Sequence, residues 1–114
     1  MLSPLVFYKA LADDTRLKCL LLITQQRELC VCELMTALEQ SQPKISRHLA
    51  QLRNANILAD RRSGQWVFYS LHPQLPEWAQ QVLQQTLLAN QPYLAPCQQH
   101  LTLVSDRPAA QGCC

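Results

Sequence analysis

Two cysteines separated by a single valine, Cys30 and Cys32, are the residues of this 114-residue chain that most directly suggest chemistry. Thiolates are soft ligands for thiophilic ions, and they can also be oxidised. Six cysteines would allow three disulfides in a secreted domain, but the N-terminal residues lack the basic start and cleavage site of a signal peptide. We therefore expect a cytoplasmic protein whose reduced thiols bind metal or sense redox state.

Positive charge is concentrated in the middle of the chain. The net charge is +2, yet residues 41–65 contain five Lys or Arg residues against Asp60 alone. A basic segment on a mildly acidic chain is typical of a module that contacts phosphate, although a solvated face has the same composition. No apolar run approaches the roughly 18 residues that cross a bilayer, so no membrane partner is expected.

The spacing of apolar residues predicts helices before this basic segment. Ser3 and Pro4 form a helix start, and Asp13 or Asp14 can cap a second helix that ends before a polar connection at 24–27. A short amphipathic helix then spans the cysteine region, since apolar residues recur at i, i+3, i+4 and i+7: Val31, Leu34, Met35 and Leu38.

A further helix follows a tight turn and completes a helix-turn-helix. Ser41 is its predicted cap, and its apolar residues share one face: Ile45, Leu49 and Leu52. At about 100° per residue, its outward side chains fall within roughly 60° of one another on the opposite side: Lys44, Arg47 and Gln51. Two short helices with a brief turn, the second carrying basic and amide groups outward, are typical of DNA readers.

The pattern changes to alternation over residues 58–71, which predicts a β-hairpin turning at Ser63 and Gly64. Arg61 and Arg62 are expected at its tip. A hairpin after a helix-turn-helix is a wing. The predicted fold is therefore mainly α with a β-hairpin wing, a winged helix-turn-helix.

A long last helix is predicted from Leu75, with its end near Pro92 or Pro96. The winged domain then occupies residues 1–95, and residues 96–114 form a cysteine-containing tail that we expect to be mobile. The first and last helices carry more apolar surface than a thin winged core needs. We expect this surplus to form a homodimer interface, because paired readers match two-fold operators; packing of the two helices within one chain is the alternative.

Four segments together resemble the ArsR family of metalloregulatory repressors: LADDTRLKCLLL, ELCVCEL, SQPKISRHLAQLR and GQWVFYSL. The resemblance covers about residues 5–90 and is closest to arsenite- and antimonite-responsive members that control arsenical resistance operons. It implies a homodimeric repressor, not an enzyme, that binds double-stranded operator DNA without a cofactor. It also implies release of that DNA when As(III) or Sb(III) binds cysteine thiolates.

The resemblance also implies roles for individual side chains at the operator. Together with the outward-facing residues, the positions presented to the major groove are Gln42, Lys44, Ser46, Arg47, His48 and Gln51. Arg and Lys reach guanine or phosphate, whereas Gln favours the N6/N7 edge of adenine. Arg61 and Arg62 are expected to contact phosphate. For His48, which leans toward the core, a structural role is the alternative.

Cys30 and Cys32 are the predicted metalloid ligands. Trivalent arsenic favours three sulfurs, while residues i and i+2 of a helix point about 200° apart. We therefore expect binding to capture an unwound first turn and to disfavour the DNA-bound arrangement. Relatives with three cysteines on this helix carry the third where Met35 stands, and Met35 suits the core. The third ligand stays open between Cys97, Cys113, Cys114, a small thiol and hydroxide.

Three alternative functions compete with this prediction. A cadmium- or lead-type sensor uses a similar cysteine pair but draws thiols from an N-terminal arm, and here no cysteine precedes Cys19, itself expected to be a buried hydrophobe. A redox-sensing repressor would oxidise Cys30 with Cys32, or Cys113 with Cys114. An enzyme is disfavoured because the cysteine pair is expected to follow no strand and to open no phosphate-binding loop.

Overall fold

The computed structural model describes residues 2–102, and this part of the chain forms six helices and three strands. The helices are α1 (Pro4–Leu11), α2 (Asp14–Gln26), α3 (Val31–Leu38), α4 (Gln42–Asn54), α5 (Glu77–Ala89) and α6 (Gln91–Thr102). The strands are β1 (Glu28–Cys30), β2 (Leu58–Ser63) and β3 (Trp66–Leu71). No helix among these residues is long and apolar enough to cross a membrane.

The helix starts follow the predicted capping residues. The Ser3 hydroxyl accepts a hydrogen bond from the Val6 N–H at 3.5 Å, and the Asp13 carboxylate accepts one from the Arg16 N–H at 3.0 Å. Ser41 occupies the N-cap position of α4. A side-chain oxygen at this position satisfies a backbone donor that lacks an intrahelical partner, which is why these residues begin α1 and α2.

The three strands form one antiparallel sheet in the order β1-β3-β2. Strands β2 and β3 are the predicted wing, which turns at Gly64 with φ of 63°, a conformation that glycine adopts without strain. Strand β1 was not predicted. Its Cys30 pairs with Phe68, so the expectation that the cysteine pair follows no strand is wrong. A three-residue strand that pairs with residues 38–42 positions away leaves no local period to detect.

Helix α6 lies where the sequence predicted the start of a tail. Helix α5 ends near Pro92 as expected, but Pro96 lies inside α6, and the proposed boundary at residue 96 therefore falls within a helix. Buried residues recur along α6 at helical spacing and pack it against α2 and α3: Leu94, Cys97 and Leu101. That apolar face outweighs the hydrogen bond which proline removes. Residues 103–114, with Cys113 and Cys114, lie outside the described residues.

Helix α2 is the centre of the core. Its residues 19–23 are all fully buried, and Cys19 is thus the small hydrophobic residue that the sequence predicted. The apolar face of α4 packs on the same core, with all three predicted residues fully buried: Ile45, Leu49 and Leu52. Burial of this face orients the opposite side of α4 toward solvent.

Candidate DNA interface and thiol site

The junction between β1 and α3 separates the two cysteines. Cys30 is both the last residue of β1 and the N-cap of α3, with an extended backbone (φ −92°, ψ 170°), whereas Cys32 lies in the first helical turn. Cys30 is fully buried and Cys32 is partly exposed. The extended backbone expected near the cysteines is therefore present at Cys30 alone, and the two side chains differ in their access to solvent.

The first turn of α3 is capped in this structure. The buried Glu33 side chain reaches back and accepts a hydrogen bond from the Cys30 N–H at 3.1 Å. This contact is one half of a capping box, which fixes the entry of the chain into a helix. The first turn of α3 is therefore tied to the strand before it and is not frayed, contrary to the expectation from the sequence.

The predicted third ligands do not join this pair within the described residues. Met35 is partly buried against the core, in agreement with its core assignment. Residues 2–102 contain no group of three His, Cys, Asp or Glu side chains placed to hold a metal ion, so Cys97 does not complete a site with Cys30 and Cys32. The three-sulfur site stays a prediction, and its other candidate ligands, Cys113 and Cys114, lie outside the described residues.

Cys97 instead lies in the core near Cys19. Burial, together with smaller contributions from the negative charges of Cys97 and Asp13, raises the pKa of Cys19 to about 12. Burial also raises the pKa of Cys97. A thiolate is the form that binds metal and attacks electrophiles, so both side chains are protonated and unreactive at neutral pH.

The outward side of α4 carries most of the predicted DNA-binding residues. Gln42, Arg47 and Gln51 are exposed, while Lys44 and Ser46 are half-buried. Lys44, Arg47 and Gln51 lie on the side away from the buried apolar face, as the angular spacing predicted. The helix therefore presents amide, hydroxyl and cationic groups together, the combination that contacts base edges and phosphates.

His48 differs from its neighbours because it points into the protein and is only 7% exposed. Its Nδ1 lies 3.4 Å from Nη1 of Arg16, and its Nε2 lies 4.0 Å from Oδ1 of Asp13. Since a guanidinium can only donate, Nδ1 acts as the acceptor and Nε2 carries the proton. This geometry favours the structural role for His48 over direct contact with DNA.

We expect the environment of His48 to make the protein less stable in mild acid. Burial lowers its pKa below the ordinary value near 6.5; Asp13 and Gln51 oppose this shift, and Arg16 and Arg47 add to it. The unfolded chain then binds a proton that the folded chain binds less readily, so the free energy of unfolding falls as pH drops below about 6.5 and levels off below the lowered pKa.

Urea unfolding at pH 7.5 and pH 5.5 measures this effect. In a His48→Gln variant the drop in unfolding free energy between the two pH values is expected to be smaller than in the unsubstituted protein. An equal drop in both proteins would show that His48 is not the source of the acid sensitivity.

The wing arginines are placed differently from each other. The Arg61 guanidinium binds both carboxylate oxygens of Glu28, at 2.6 and 3.0 Å, and stacks 4.8 Å from the Phe68 ring. The hydrogen bonds and the negative charge of Glu28 raise the pKa of Arg61 above its ordinary value. Arg62 is exposed and pairs in the sheet with Val67. The turn itself consists of residues 64–65, so both arginines precede the tip at which they were predicted.

Arg16 was given no role from the sequence. Its guanidinium donates to the carbonyls of Lys9 (3.3 Å) and Ala10 (2.8 Å) in α1 and to the Gln51 side chain (3.0 Å) in α4. The sequence did offer an indication. Arg16 lies four residues before Leu20 and therefore on the buried side of α2, where a guanidinium needs hydrogen-bond acceptors from the protein. Arg16 thus joins the first helix to the DNA-facing side of α4.

An exposed apolar surface lies on α1 and α5. The Trp78 ring packs edge-on against Phe7, with centroids 5.1 Å apart, and this contact brings the two helices together. The exposed apolar side chains on these helices are Leu5, Val6, Tyr8, Trp78 and Leu88. We call these five residues the α1/α5 surface. Tyr8 and Trp78 are neighbours within this set, with ring centroids 6.4 Å apart, and exposed apolar groups of this size are typical of an interaction surface.

The chain is similar to known transcriptional regulators. Residues 13–60 match the family model described as "Bacterial regulatory protein, arsR family". The chain is 54% identical, over all of its 114 residues and 89% of the relative, to the arsenic resistance transcriptional regulator ArsR1 of Pseudomonas putida. It is 55% identical over 82 residues, 72% of this chain and 70% of the relative, to the arsenical resistance operon repressor of Escherichia coli K12.

Solved structures support the same assignment. The fold is similar to HlyU from Vibrio cholerae, with a TM-score of 0.68 and 32% identity over 75% of this chain and 89% of that one. It is also similar to the AntR antimony-specific transcriptional repressor, with a TM-score of 0.65 and 27% identity over 77% of each chain. The predictions of a winged helix-turn-helix and of a regulator rather than an enzyme are confirmed. The chain belongs to the ArsR family of transcriptional regulators.

Proposed function

We propose that this protein is a cytoplasmic repressor that binds operator DNA as a homodimer and releases it when As(III) or Sb(III) binds Cys30 and Cys32. The observation that carries this proposal is the position of Cys30, which ends β1 and caps α3. The names of its relatives, which include arsenic resistance regulators and an antimony-specific repressor, support the choice of ion.

The junction couples the thiols to both DNA-binding elements. Cys30 pairs with Phe68 in the wing strand β3, and Glu33 ties its N–H to the first turn of α3. Trivalent arsenic must draw the buried Cys30 sulfur toward the more exposed Cys32. This movement breaks the cap and disturbs the pairing of β1, so α3 and the wing shift relative to each other. If the metalloid binds only the shifted conformation, its binding lowers the fraction of protein in the conformation that binds DNA.

The α1/α5 surface is the proposed dimer interface. Leu5 and Leu88 are each 62% exposed, and burying them between two copies is favourable at about 25 cal/mol per Å² of apolar area. A two-fold dimer places two copies of α4 on successive half-sites of one operator. We therefore propose that a second copy of this chain covers the α1/α5 surface.

Arg62 is expected to contribute more than Arg61 to the salt dependence of operator binding. Arg61 is already neutralised by Glu28, whereas the exposed Arg62 is open to a phosphate. We expect Arg62→Ala to reduce the slope of log affinity against log salt by about 1 per DNA-contacting subunit, and Arg61→Ala to reduce it less. Fluorescence anisotropy from 50 to 300 mM KCl measures both slopes; a larger change for Arg61→Ala would contradict the assignment.

The proposed function is tested by titrating a complex of the protein with fluorescent operator DNA. The operator is isolated by selection from a random duplex library. Arsenite or antimonite is expected to release the DNA at concentrations where cadmium, lead and zinc do not. Release by cadmium or lead alone would assign the protein to the other class of metal sensor, and release by peroxide without metalloid would assign it to redox sensing. Enrichment of no DNA sequence at low salt would overturn the proposal.

A further inference from the structure

One side chain of α2 governs how α4 presents Gln51. The Arg16 guanidinium uses one edge on the carbonyls of Lys9 and Ala10, at the C-terminal end of α1. Its Nη1 faces α4, where it donates to Oε1 of Gln51 at 3.0 Å and lies 3.4 Å from Nδ1 of His48. Because its donors are used on two helices, the guanidinium has little freedom to turn.

The chemistry of the pair decides which end of the Gln51 amide points outward. A guanidinium has five donors and no acceptor, so only the amide oxygen of Gln51 can face it. The amide NH2 group is then directed away from Arg16, on a residue that is exposed on the DNA-facing side of α4. The backbone bonds of Arg16 to α1 hold this orientation in place before any DNA is bound.

We propose that Arg16 is a positioning residue for operator recognition, which makes Gln51 a donor-only reader of bases. This inference rests on the proposed function and specifies its base readout. The adenine contact expected from the sequence uses the amide oxygen and NH2 together on N6 and N7. With its oxygen turned to Arg16, Gln51 instead matches bases that present acceptors in the major groove: guanine through O6 and N7, or thymine through O4.

The neighbouring His48 strengthens this orientation. It is buried beside the same Nη1 with its acceptor nitrogen facing the guanidinium, and Asp13 lies on its other side. Two acceptors on α4 therefore hold one edge of Arg16, and two carbonyls on α1 hold the other. A lysine at position 16 would keep the positive charge but lose the planar fork that spans both helices.

The inference is tested by selecting duplexes from a random library with the full-length protein and comparing base preferences in each half-site. The unsubstituted protein is expected to select guanine or thymine at one symmetric position. Gln51→Ala should lose the preference at that position alone, which identifies it. Arg16→Lys should weaken the guanine or thymine preference there by about fivefold or more and admit adenine, because the amide is free to turn.

Two further variants complete the comparison. Gln51→Glu keeps the contact with Arg16 and offers no donor, so it should shift the same position toward cytosine, whose N4 group donates. Arg53→Lys is the matched control on the same helix, where Arg53 pairs with Asp60, and it should leave the profile unchanged. Thermal melting followed by circular dichroism shows whether Arg16→Lys is folded under the selection conditions.

The failure of this inference differs from the failure of the proposed function. If Arg16→Lys keeps the preference of the unsubstituted protein, or if Gln51→Ala changes no position, the inference is wrong while the repressor function stands. An adenine preference in the unsubstituted protein at the Gln51 position also overturns it. Selection of no sequence by the unsubstituted protein would overturn both. If Arg16→Lys does not fold, the Gln51→Glu shift toward cytosine alone decides, and its absence counts against the inference.

Discussion

Replacing both Cys30 and Cys32 by serine is expected to keep operator binding and to abolish its release by arsenite. Neither side chain lies on the exposed side of α4, so the affinity for DNA should stay within about threefold of that of the unsubstituted protein, whereas at least about tenfold more arsenite should be needed for release. A ligand shifts an equilibrium only by its difference in affinity between the two states, and serine hydroxyls provide no thiolate for the ion.

The single variants separate the two cysteines. Cys32 is partly exposed, so Cys32→Ser should cost little stability, and Cys30→Ser should also stay folded because a serine hydroxyl at the N-cap of α3 can accept the Glu33 N–H. Anisotropy of labelled operator against arsenite concentration measures release for each protein. Cys97→Ala is the matched control, since Cys97 is buried near Cys19 on another helix. Normal release from the Cys30/Cys32 double variant would exclude these thiols as the sensor.

Placing lysines on the α1/α5 surface is expected to abolish the dimer and with it tight operator binding. The double variant Leu5→Lys/Leu88→Lys changes side chains that are each 62% exposed, so the folded subunit should keep its stability. Like charges in a buried interface oppose association. A monomer loses the second half-site, and affinity for the full operator should fall by about a hundredfold or more.

Sedimentation equilibrium measures the association state, and anisotropy measures operator affinity in the same preparations. Gln99→Lys, an exposed residue of α6 away from this surface, is the control and should remain dimeric. A double variant that stays dimeric and binds the operator normally would show that the α1/α5 surface serves another partner.

The helices that carry local periodicity were predictable from the sequence. In α4 the buried residues Ile45, Leu49 and Leu52 recur at the helical period and alone determine which side faces solvent. The wing followed from alternation and from Gly64 at its turn. These features depend on neighbours in the sequence, so a pattern of types and spacings is enough to identify them.

The features that the sequence did not reveal depend on distant partners. Strand β1 exists because residues 28–30 pair with residues 68–70, and α6 persists through Pro96 because its buried face packs on α2 and α3. The inward position of His48 was an open alternative that needed Arg16 and Asp13 to decide it. Contacts of this kind are set by tertiary packing, which overrides local propensity.

The bond between Arg61 and Glu28 has a mechanical consequence for the wing. In the strand order β1-β3-β2 these residues lie on the two outer strands, so their side chains cross over the middle strand and brace the sheet beside Phe68. Because this contact joins the two outer strands, we expect the three strands to move together as one unit. The position of β1 is therefore linked to β2 through this side-chain contact as well as through the backbone hydrogen bonds of β3.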